Sequence, residues 1–262
     1  MKRINKIVSL TTALGSAFLS VAALAQTAAP AAAPTPEFTG KVALYSEYEY
    51  RGISQSSEKP AIQLNLDYAN ASGFYLGTFV SNIKWIKDTA KASGLSSSSN
   101  LEIDVYGGFK TEIAKDLMLD VGVLTYIYPS SSVFSTSPNT TEIYGGVTSG
   151  AFGVKYSHAV SNTFGNPKSK NSGFIEANWT QEIAPKLVAN AQLARQVIKN
   201  GGVYSYTVYK VGLTYDLGDG WSAMGYFKGT NAKTGAISNA NSLWIQYFYA
   251  YLNDTGRAGF VM

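Results

Sequence analysis

Hydrophobic and polar residues alternate with a period of two along most of the chain between Gly40 and Leu252. In residues 62–68, for example, Ile, Leu, Leu and Tyr alternate with Gln, Asn and Asp. This period places apolar side chains on one face of a strand and polar side chains on the other. About twelve such runs can be recognised, the last at residues 243–252, and helical periodicity is not evident after the N-terminal segment. The pattern predicts an all-β protein.

The connections between these strands are alternately short and long. The short joints lie at residues 70–73, 113–116, 149–151, 182–186 and 216–220, and longer polar segments lie between them at 54–60, 85–99, 129–139, 161–172, 199–204 and 230–242. A barrel that spans the outer membrane has short periplasmic turns and longer extracellular loops. A soluble sandwich has no reason to place all its long connections at one end. We therefore predict an antiparallel up-and-down transmembrane β-barrel of about 12 strands.

The length of the chain supports this number of strands. A spanning strand needs about 9–11 residues, and residues 38–262 divided among twelve strands give roughly 19 residues for each strand and its connection. Eight strands would leave too much loop, and sixteen would leave almost none. An even number of strands also places both termini at the periplasmic end.

Large aromatic residues lie beside the short joints, at the apolar parity of their strands. They are Phe38, Tyr68, Phe74, Phe109, Phe152, Trp179, Tyr215 and Trp221. Rings at one rim of a lipid-facing surface form the aromatic girdle of membrane barrels. A soluble β-sandwich also fits the alternation, but it would favour such rings at mid-strand core positions.

The polar parity of the strands predicts the residues that line the barrel interior. On the first six strands they are Glu47, Glu49, Arg51, Asp67, Glu102, Asp104, Lys110, Asp120 and Glu142, and on the last six they are Lys155, Glu176, Lys210 and Lys228. Acidic residues therefore crowd one wall and basic residues favour the other. This predicts a transverse electric field across a water-filled pore, which would favour polar or zwitterionic solutes. The alternative is that the charges pair with one another and plug a lumen that a barrel of this size leaves narrow.

The N-terminal segment predicts export from the cytoplasm. Lys2, Arg3 and Lys6 precede a mostly apolar stretch, and the small-x-small sequence at residues 23–25 is a cleavage site. This predicts a signal peptide at residues 1–25, with an uncleaved membrane helix as the alternative. Residues 26–37 are rich in Ala and Pro and predict a flexible periplasmic linker, so that the barrel domain covers residues 38–262.

The composition excludes several classes of function. The net charge of +4 falls to +1 without the three cations of the signal peptide, because 18 basic residues then face 17 acidic residues. A balance this close to neutral gives no reason to predict nucleic-acid binding. The chain has no cysteine, which excludes disulfides, thiol catalysis and thiolate metal sites. We predict no cofactor and no metal.

The single histidine of the chain, His158, is the only candidate for catalysis at the membrane surface. Outer-membrane lipid hydrolases place a histidine and a serine nucleophile on the same lipid-facing surface. Here Val160 occupies the position two residues on, and Ser157 and Ser161 have the opposite parity. Because nucleophile and base must be within hydrogen-bond reach, we predict that the protein is not an enzyme, and a lipid-modifying enzyme is the weakest alternative.

The sequence of residues 42–55, VALYSEYEYRGISQ, resembles the opening strand of the TorF family, proteobacterial proteins named as porins whose function is unknown. Further similarity lies at residues 72–75, 77–78, 81–82, 101–108, 120–129 and 141–146. The resemblance covers most of the first half of the chain, and it implies an outer-membrane barrel and a channel, but no substrate. The C-terminus departs from the pattern of such barrels, which commonly end on an aromatic residue. Here ten residues follow the last predicted strand, and Phe260 lies two positions before the end.

These observations predict a porin of the outer membrane of a Gram-negative bacterium, through which small hydrophilic solutes diffuse passively in a charged lumen. The predicted partners are outer-membrane lipids and lipopolysaccharide, the barrel-assembly machinery and those solutes. A non-conducting barrel with a structural or surface-interaction role is the main alternative, with the Ser-rich segments at residues 96–99 and 130–132 as its contact surface.

Overall fold

The computed structural model describes residues 37–132, 134–232 and 241–252, with side chains for residues 38–132 and 134–232. The predicted signal peptide, the predicted linker up to residue 36 and the C-terminal tail at residues 253–262 lie outside the described residues. The described part contains the strands β1 (Glu37–Tyr45), β2 (Glu49–Tyr50), β3 (Ile53–Ser54), β4 (Ala61–Ala69), β5 (Phe74–Asn82), β6 (Leu101–Ala114), β7 (Leu117–Ile127), β8 (Thr140–Ser149), β9 (Phe152–Ala159), β10 (Gly173–Ala184), β11 (Leu187–Val197), β12 (Tyr206–Gly218), β13 (Trp221–Thr230) and β14 (Asn241–Leu252).

All of these strands except β2 and β3 form one closed barrel. Each barrel strand pairs antiparallel with the barrel strands before and after it in the chain, and β1 closes the ring against β14, with Gly40 opposite Leu252. Between two and four residues join the strands at one end of the barrel, for example residues 70–73 and 115–116, whereas the connections at the other end are longer. The predicted fold class and the predicted rhythm of short and long connections are confirmed.

The two faces of the barrel wall differ in polarity. Large apolar side chains point outward and are exposed, as Leu66, Phe74 and Leu193 show with 48%, 58% and 60% of their surface accessible. Polar neighbours such as Asn65 and Asn190 are buried inside. Soluble monomers rarely expose a continuous apolar surface of this kind, so the outer wall has the polarity of a surface that contacts lipid or protein.

One α-helix, α1 (Trp85–Ala92), lies in the connection between β5 and β6, where the sequence predicted only a loop. The helix buries Ile86 and Ala90, four residues apart on one face. Two apolar positions within eight residues are too few to show a helical period, which is why the prediction of no helix was wrong here. No helix in the described part of the chain has the length and hydropathy needed to cross a membrane.

The largest cluster of buried hydrophobic residues lies at the barrel end that carries the long connections. It joins Ile86 of α1 to residues of β5, β6 and β7, and it also contains Tyr48 from the connection between β1 and β4. This connection therefore packs inside the barrel, and it forms the centre of the candidate site.

Candidate functional site

The connection between β1 and β4, residues 46–60, folds into the barrel; we call it the inner loop. Its strands β2 and β3 form a hairpin in which Glu49 pairs with Ser54 and Tyr50 with Ile53. The two turn residues, Arg51 and Gly52, have φ angles of 47° and 80°. Two positive φ values are what a tight two-residue hairpin turn requires, and glycine adopts them most easily.

Arg51 at the tip of the hairpin binds the barrel wall with both ends of its guanidinium group. Its Nη2 and Nη1 atoms donate to the Glu142 carboxylate of β8 at 2.7 and 3.0 Å, and Nη1 also donates to Gln196 Oε1 of β11 at 2.9 Å. The guanidinium carbon lies 4.2 Å from the ring centre of Phe174 on β10. The side chains of Arg51 and Glu142 are only 5% and 2% exposed. Such bidentate, desolvated contacts hold the hairpin tip in one place.

Two acidic residues of the inner loop bind the opposite side of the lumen. Glu47 Oε2 lies 3.1 Å from Lys228 Nζ of β13, and Glu49 forms a salt bridge with Lys210 of β12. All four side chains are about 1% exposed. The inner loop therefore carries negative charge toward β12 and β13 and positive charge toward β8.

Tyrosine hydroxyls attach the inner loop to a third section of the wall. Tyr48 donates to the Glu102 carboxylate of β6, and Tyr50 shares a hydrogen bond with Tyr126 of β7. The ring of Phe164, from the connection between β9 and β10, stacks edge-on against Tyr50. Together with the ion pairs and the contacts of Arg51 with Gln196 and Phe174, they tie the loop to seven barrel strands.

All of these wall residues lie in the half of the barrel next to the long connections. Glu102 and Glu142 are near the starts of β6 and β8, whereas Tyr126 and Lys228 are near the ends of β7 and β13. Strands β6 and β12 are six positions apart in a ring of twelve, so the Glu102 and Lys210 walls face each other. We call the half of the lumen next to the long connections the outer half. The inner loop crosses this outer half between an acidic wall and a basic wall.

Burial changes the protonation chemistry of the inner loop. Burial raises the pKa of the Glu47 carboxyl, and the Lys228 ammonium group opposes this shift. Burial and the Glu102 carboxylate raise the pKa of the Tyr48 phenol far above its usual value, so this hydroxyl remains a hydrogen-bond donor. Burial is the largest influence on Arg51 and lowers its pKa, but the Glu142 carboxylate together with Tyr50 and Tyr126 more than offsets burial, so the pKa of Arg51 lies well above its ordinary value.

The structure changes the expected position of three predicted lining residues. Glu47, Glu49 and Arg51 have the alternation of a strand, but they belong to the inner loop and its hairpin instead of to the wall. The other ten predicted residues are in barrel strands at the inward parity. They are Asp67, Glu102, Asp104, Lys110, Asp120, Glu142, Lys155, Glu176, Lys210 and Lys228. Of these, Lys110 is directly opposite Asp120, and Lys155 is directly opposite Glu176.

Sequence reasoning missed the part that tyrosines play in the lumen. Tyr106 donates to Asp67, and Tyr75 donates to Asp120 at 2.6 Å and shares a hydrogen bond with Tyr144. These rings lie at the inward parity of their strands. Tyr106 and Tyr75 each reach a carboxylate on the second strand away: β5 lies between Tyr106 and Asp67, and β6 lies between Tyr75 and Asp120. Their inward parity is the sequence signal that could have identified these tyrosines as lining residues, since a phenol pointing toward an acid acts as a polar lining group.

The residues of the predicted girdle lie near the short turns, and several form pairs across neighbouring strands. The rings of Phe38 and Tyr68 are 4.7 Å apart, and those of Phe74 and Phe109 are 5.0 Å apart. The remaining members are Phe152, which is opposite Trp179, together with Tyr215 and Trp221. Their contact with a membrane interface stays a prediction.

His158 on β9 has no serine among its hydrogen-bond partners. Its Nδ1 atom lies 3.3 Å from the Tyr156 hydroxyl, and its Nε2 atom lies 3.2 Å from Asn171 Oδ1. Ser157 is buried on the opposite face of the strand. Within the described ranges, no group of three or more His, Asp or Glu side chains is arranged to hold a metal ion.

Solved structures that resemble this chain include porins. The KdgM porin is 10% identical to this chain over 82% of this chain and 96% of its own, with a TM-score of 0.50. Its complex with disordered oligogalacturonate has a TM-score of 0.48 at 9% identity, covering 83% and 96% of the two chains. The NanC porin is 11% identical and has a TM-score of 0.48, covering 83% and 98%. The likeness to KdgM establishes a porin-like barrel fold.

Sequence comparison assigns the chain to a family without a described activity. No curated protein matches it. Residues 28–252 match the model of a family described as "Bacterial protein of unknown function (Gcw_chp)". The match does not confirm the TorF family that the sequence resembles. Because it covers most of the chain and all of the barrel strands, this protein belongs to the Gcw_chp family.

Proposed function

We propose that this protein is a passive channel of the bacterial outer membrane for small hydrophilic solutes. The observation that carries the proposal is a closed twelve-stranded barrel with an apolar outer wall and a charged interior. An apolar outside suits a bilayer, and a polar inside suits water and dissolved solutes. The porin-like fold supports this function.

The inner loop is the constriction of the proposed channel. It crosses the outer half of the lumen and is held there by Arg51 on one side and by Glu47 and Glu49 on the other. A passing solute must therefore meet these charges, which exchange its water of hydration for contacts with the protein. We expect a small conductance and a strong dependence of permeation on solute charge.

The same proposal specifies the surroundings of the barrel. Outer-membrane lipids and lipopolysaccharide would contact the apolar wall and its aromatic rim, and the barrel-assembly machinery would insert the strands. In this view residues 1–25 direct export and residues 26–37 tether the barrel in the periplasm. The resemblance to the TorF family agrees with this location.

A non-conducting barrel is the second candidate, and one observation favours it. Three ion pairs with nearly fully buried side chains cross the outer half of the lumen, which is how a closed plug would be held. A structural barrel would keep this arrangement permanently. A channel would release these ion pairs, or it would conduct past the docked inner loop.

Conductance of the refolded protein separates these functions. Residues 26–262 would be reconstituted in planar bilayers, beside a variant in which residues 47–55 are replaced by a Gly-Ser segment of equal length. We expect discrete channels from both proteins, with a larger conductance for the variant because the constriction is gone. Correct folding of each would be verified by its heat-dependent migration on gels. Two folded proteins that both fail to conduct would disprove the channel.

A further inference from the structure

Four lysines of β6, β9, β12 and β13 face the barrel interior, and they differ in what lies opposite them. Lys110 on β6 pairs in register with Asp120, and Lys155 on β9 pairs with Glu176. These lysines therefore have a carboxylate on the adjacent strand. These two carboxylates belong to the wall itself, so they face the lysines whether or not the inner loop is in place.

Lys210 and Lys228 have a different environment. They are directly opposite each other on β12 and β13, and their other cross-strand neighbours are Gln192 on β11 and Ser242 on β14. Two like charges in register on adjacent strands destabilise a sheet. Here both side chains are also about 1% exposed, so water compensates them poorly. Two carboxylates placed beside this pair offset the repulsion between the two ammonium groups.

The inner loop supplies those two anionic groups. Glu47 binds Lys228, and Glu49 binds Lys210. The two carboxylates are two residues apart in a connection between strands, so they belong to the inner loop and not to the barrel wall. The lysine pair with these carboxylates is thus already shaped as a site for two carboxylates at once.

We propose that Lys210 and Lys228 form a binding site for a small dicarboxylate solute, which competes with Glu47 and Glu49 for the two ammonium groups. The inference rests on the proposed channel function, since it places this site in the path of the solute. Lysine offers a compact charge with three donors, which can bind carboxylates carried by the loop or by a solute. A dicarboxylate satisfies both lysines with one molecule, whereas a monocarboxylate leaves one of them uncompensated.

Calorimetric titration of the refolded protein in detergent with succinate tests this site without requiring conduction. Neutralising the competitor in the double variant Glu47→Gln/Glu49→Gln should strengthen succinate binding at least tenfold over the wild type. The quadruple variant that also carries Lys210→Gln/Lys228→Gln removes equal numbers of positive and negative charges and should lose the binding. Glu58→Gln is the matched control, because Glu58 belongs to the same loop but is exposed.

Acetate at equal ionic strength measures what a single carboxylate contributes, and we expect it to bind at least tenfold more weakly than succinate. Equal succinate affinity in the double and quadruple variants would overturn the proposal, as would equal affinity for acetate. If the double variant does not fold, the wild type decides the question. Succinate should then raise its melting temperature and leave that of the quadruple variant unchanged, and equal shifts would refute the site.

The outcomes separate this site from the channel. Succinate binding that depends on the two lysines, in a protein that never conducts, would support the site and refute the channel. Conduction without such binding would support the channel and refute the site.

Discussion

Replacing Arg51 by glutamine should release the inner loop from the lumen. The change removes two hydrogen bonds to Glu142, one to Gln196 and the stacking on Phe174, and it leaves no positive charge at the hairpin tip. Glu142 would then be a buried carboxylate without its cation. Release of the loop would let water reach that carboxylate, so the energetic loss falls on the docked state.

The structure sets the size of this effect. Both partners are almost fully buried, and removing one member of a buried ion pair costs about 3–5 kcal/mol. Since about 1.4 kcal/mol corresponds to a factor of ten, the docking equilibrium should shift by roughly 100-fold to 4,000-fold. Arg51→Lys should recover only part of the docking, because an ammonium group cannot form the bidentate contact.

Hydrogen exchange and single-channel recording measure this shift. The Gln55 amide donates to the Tyr48 carbonyl at 2.7 Å inside the loop, so its exchange reports docking. We expect its exchange to accelerate in Arg51→Gln, with longer open times in bilayers. Arg195→Gln is the matched control, since Arg195 is exposed and its side chain makes one hydrogen bond, to Thr207. Loop exchange within threefold of the wild type in Arg51→Gln would refute the reasoning.

Three further predictions concern the hairpin turn, the lumen network and pH. Gly52→Ala should also loosen the loop, because a Cβ atom there would lie 2.9 Å from Val208 and a positive φ costs a non-glycine residue about 1–2 kcal/mol. Hydrogen exchange of the loop amides measures this loosening, and an exchange rate equal to that of the wild type would contradict the prediction. Tyr75→Phe should lower the free energy of unfolding by about 1–3 kcal/mol, because Asp120 loses a hydrogen-bond donor inside the barrel. Urea unfolding in lipid vesicles measures this free energy, and an unchanged value would contradict the prediction. Burial raises the pKa of Glu47 above its ordinary value of 4.5, so the docking that this group contributes is complete below that value and is lost as pH rises through the higher docked-state pKa. The open probability of the wild type should therefore rise with pH more than that of Glu47→Gln, and equal slopes would exclude Glu47 as the titrating group.

The alternation of polar and apolar residues predicts the strands that form the barrel wall. A strand with lipid or protein on one side and water on the other keeps a period of two, as residues 62–68 in β4 do. The alternation of short and long connections then selects an up-and-down barrel, because consecutive strands pair with each other. Ten of the thirteen predicted lining residues could be placed in barrel strands from parity alone.

The same alternation failed at the inner loop. Glu47, Glu49 and Arg51 occupy every second position, as lumen residues of a continuing strand would. The loop shows this period because one face of its hairpin meets charged walls and the other meets tyrosines and Phe164. A period of two reports that two faces have different surroundings, and it does not report whether the segment lies in the wall or inside it.

The amino-acid pattern is thus enough for the barrel, its strand number and the polarity of its two faces, since each depends on local alternation and loop length. The pairing of charged residues cannot be predicted from this local pattern, because it depends on the three-dimensional structure. Arg51 and Glu142 are 91 residues apart in the chain, and Lys228 and Glu47 are 181 residues apart. Closure of the ring brings these residues together, because it sets β12 and β13 opposite β6 and β7 and leaves the space between them to the inner loop.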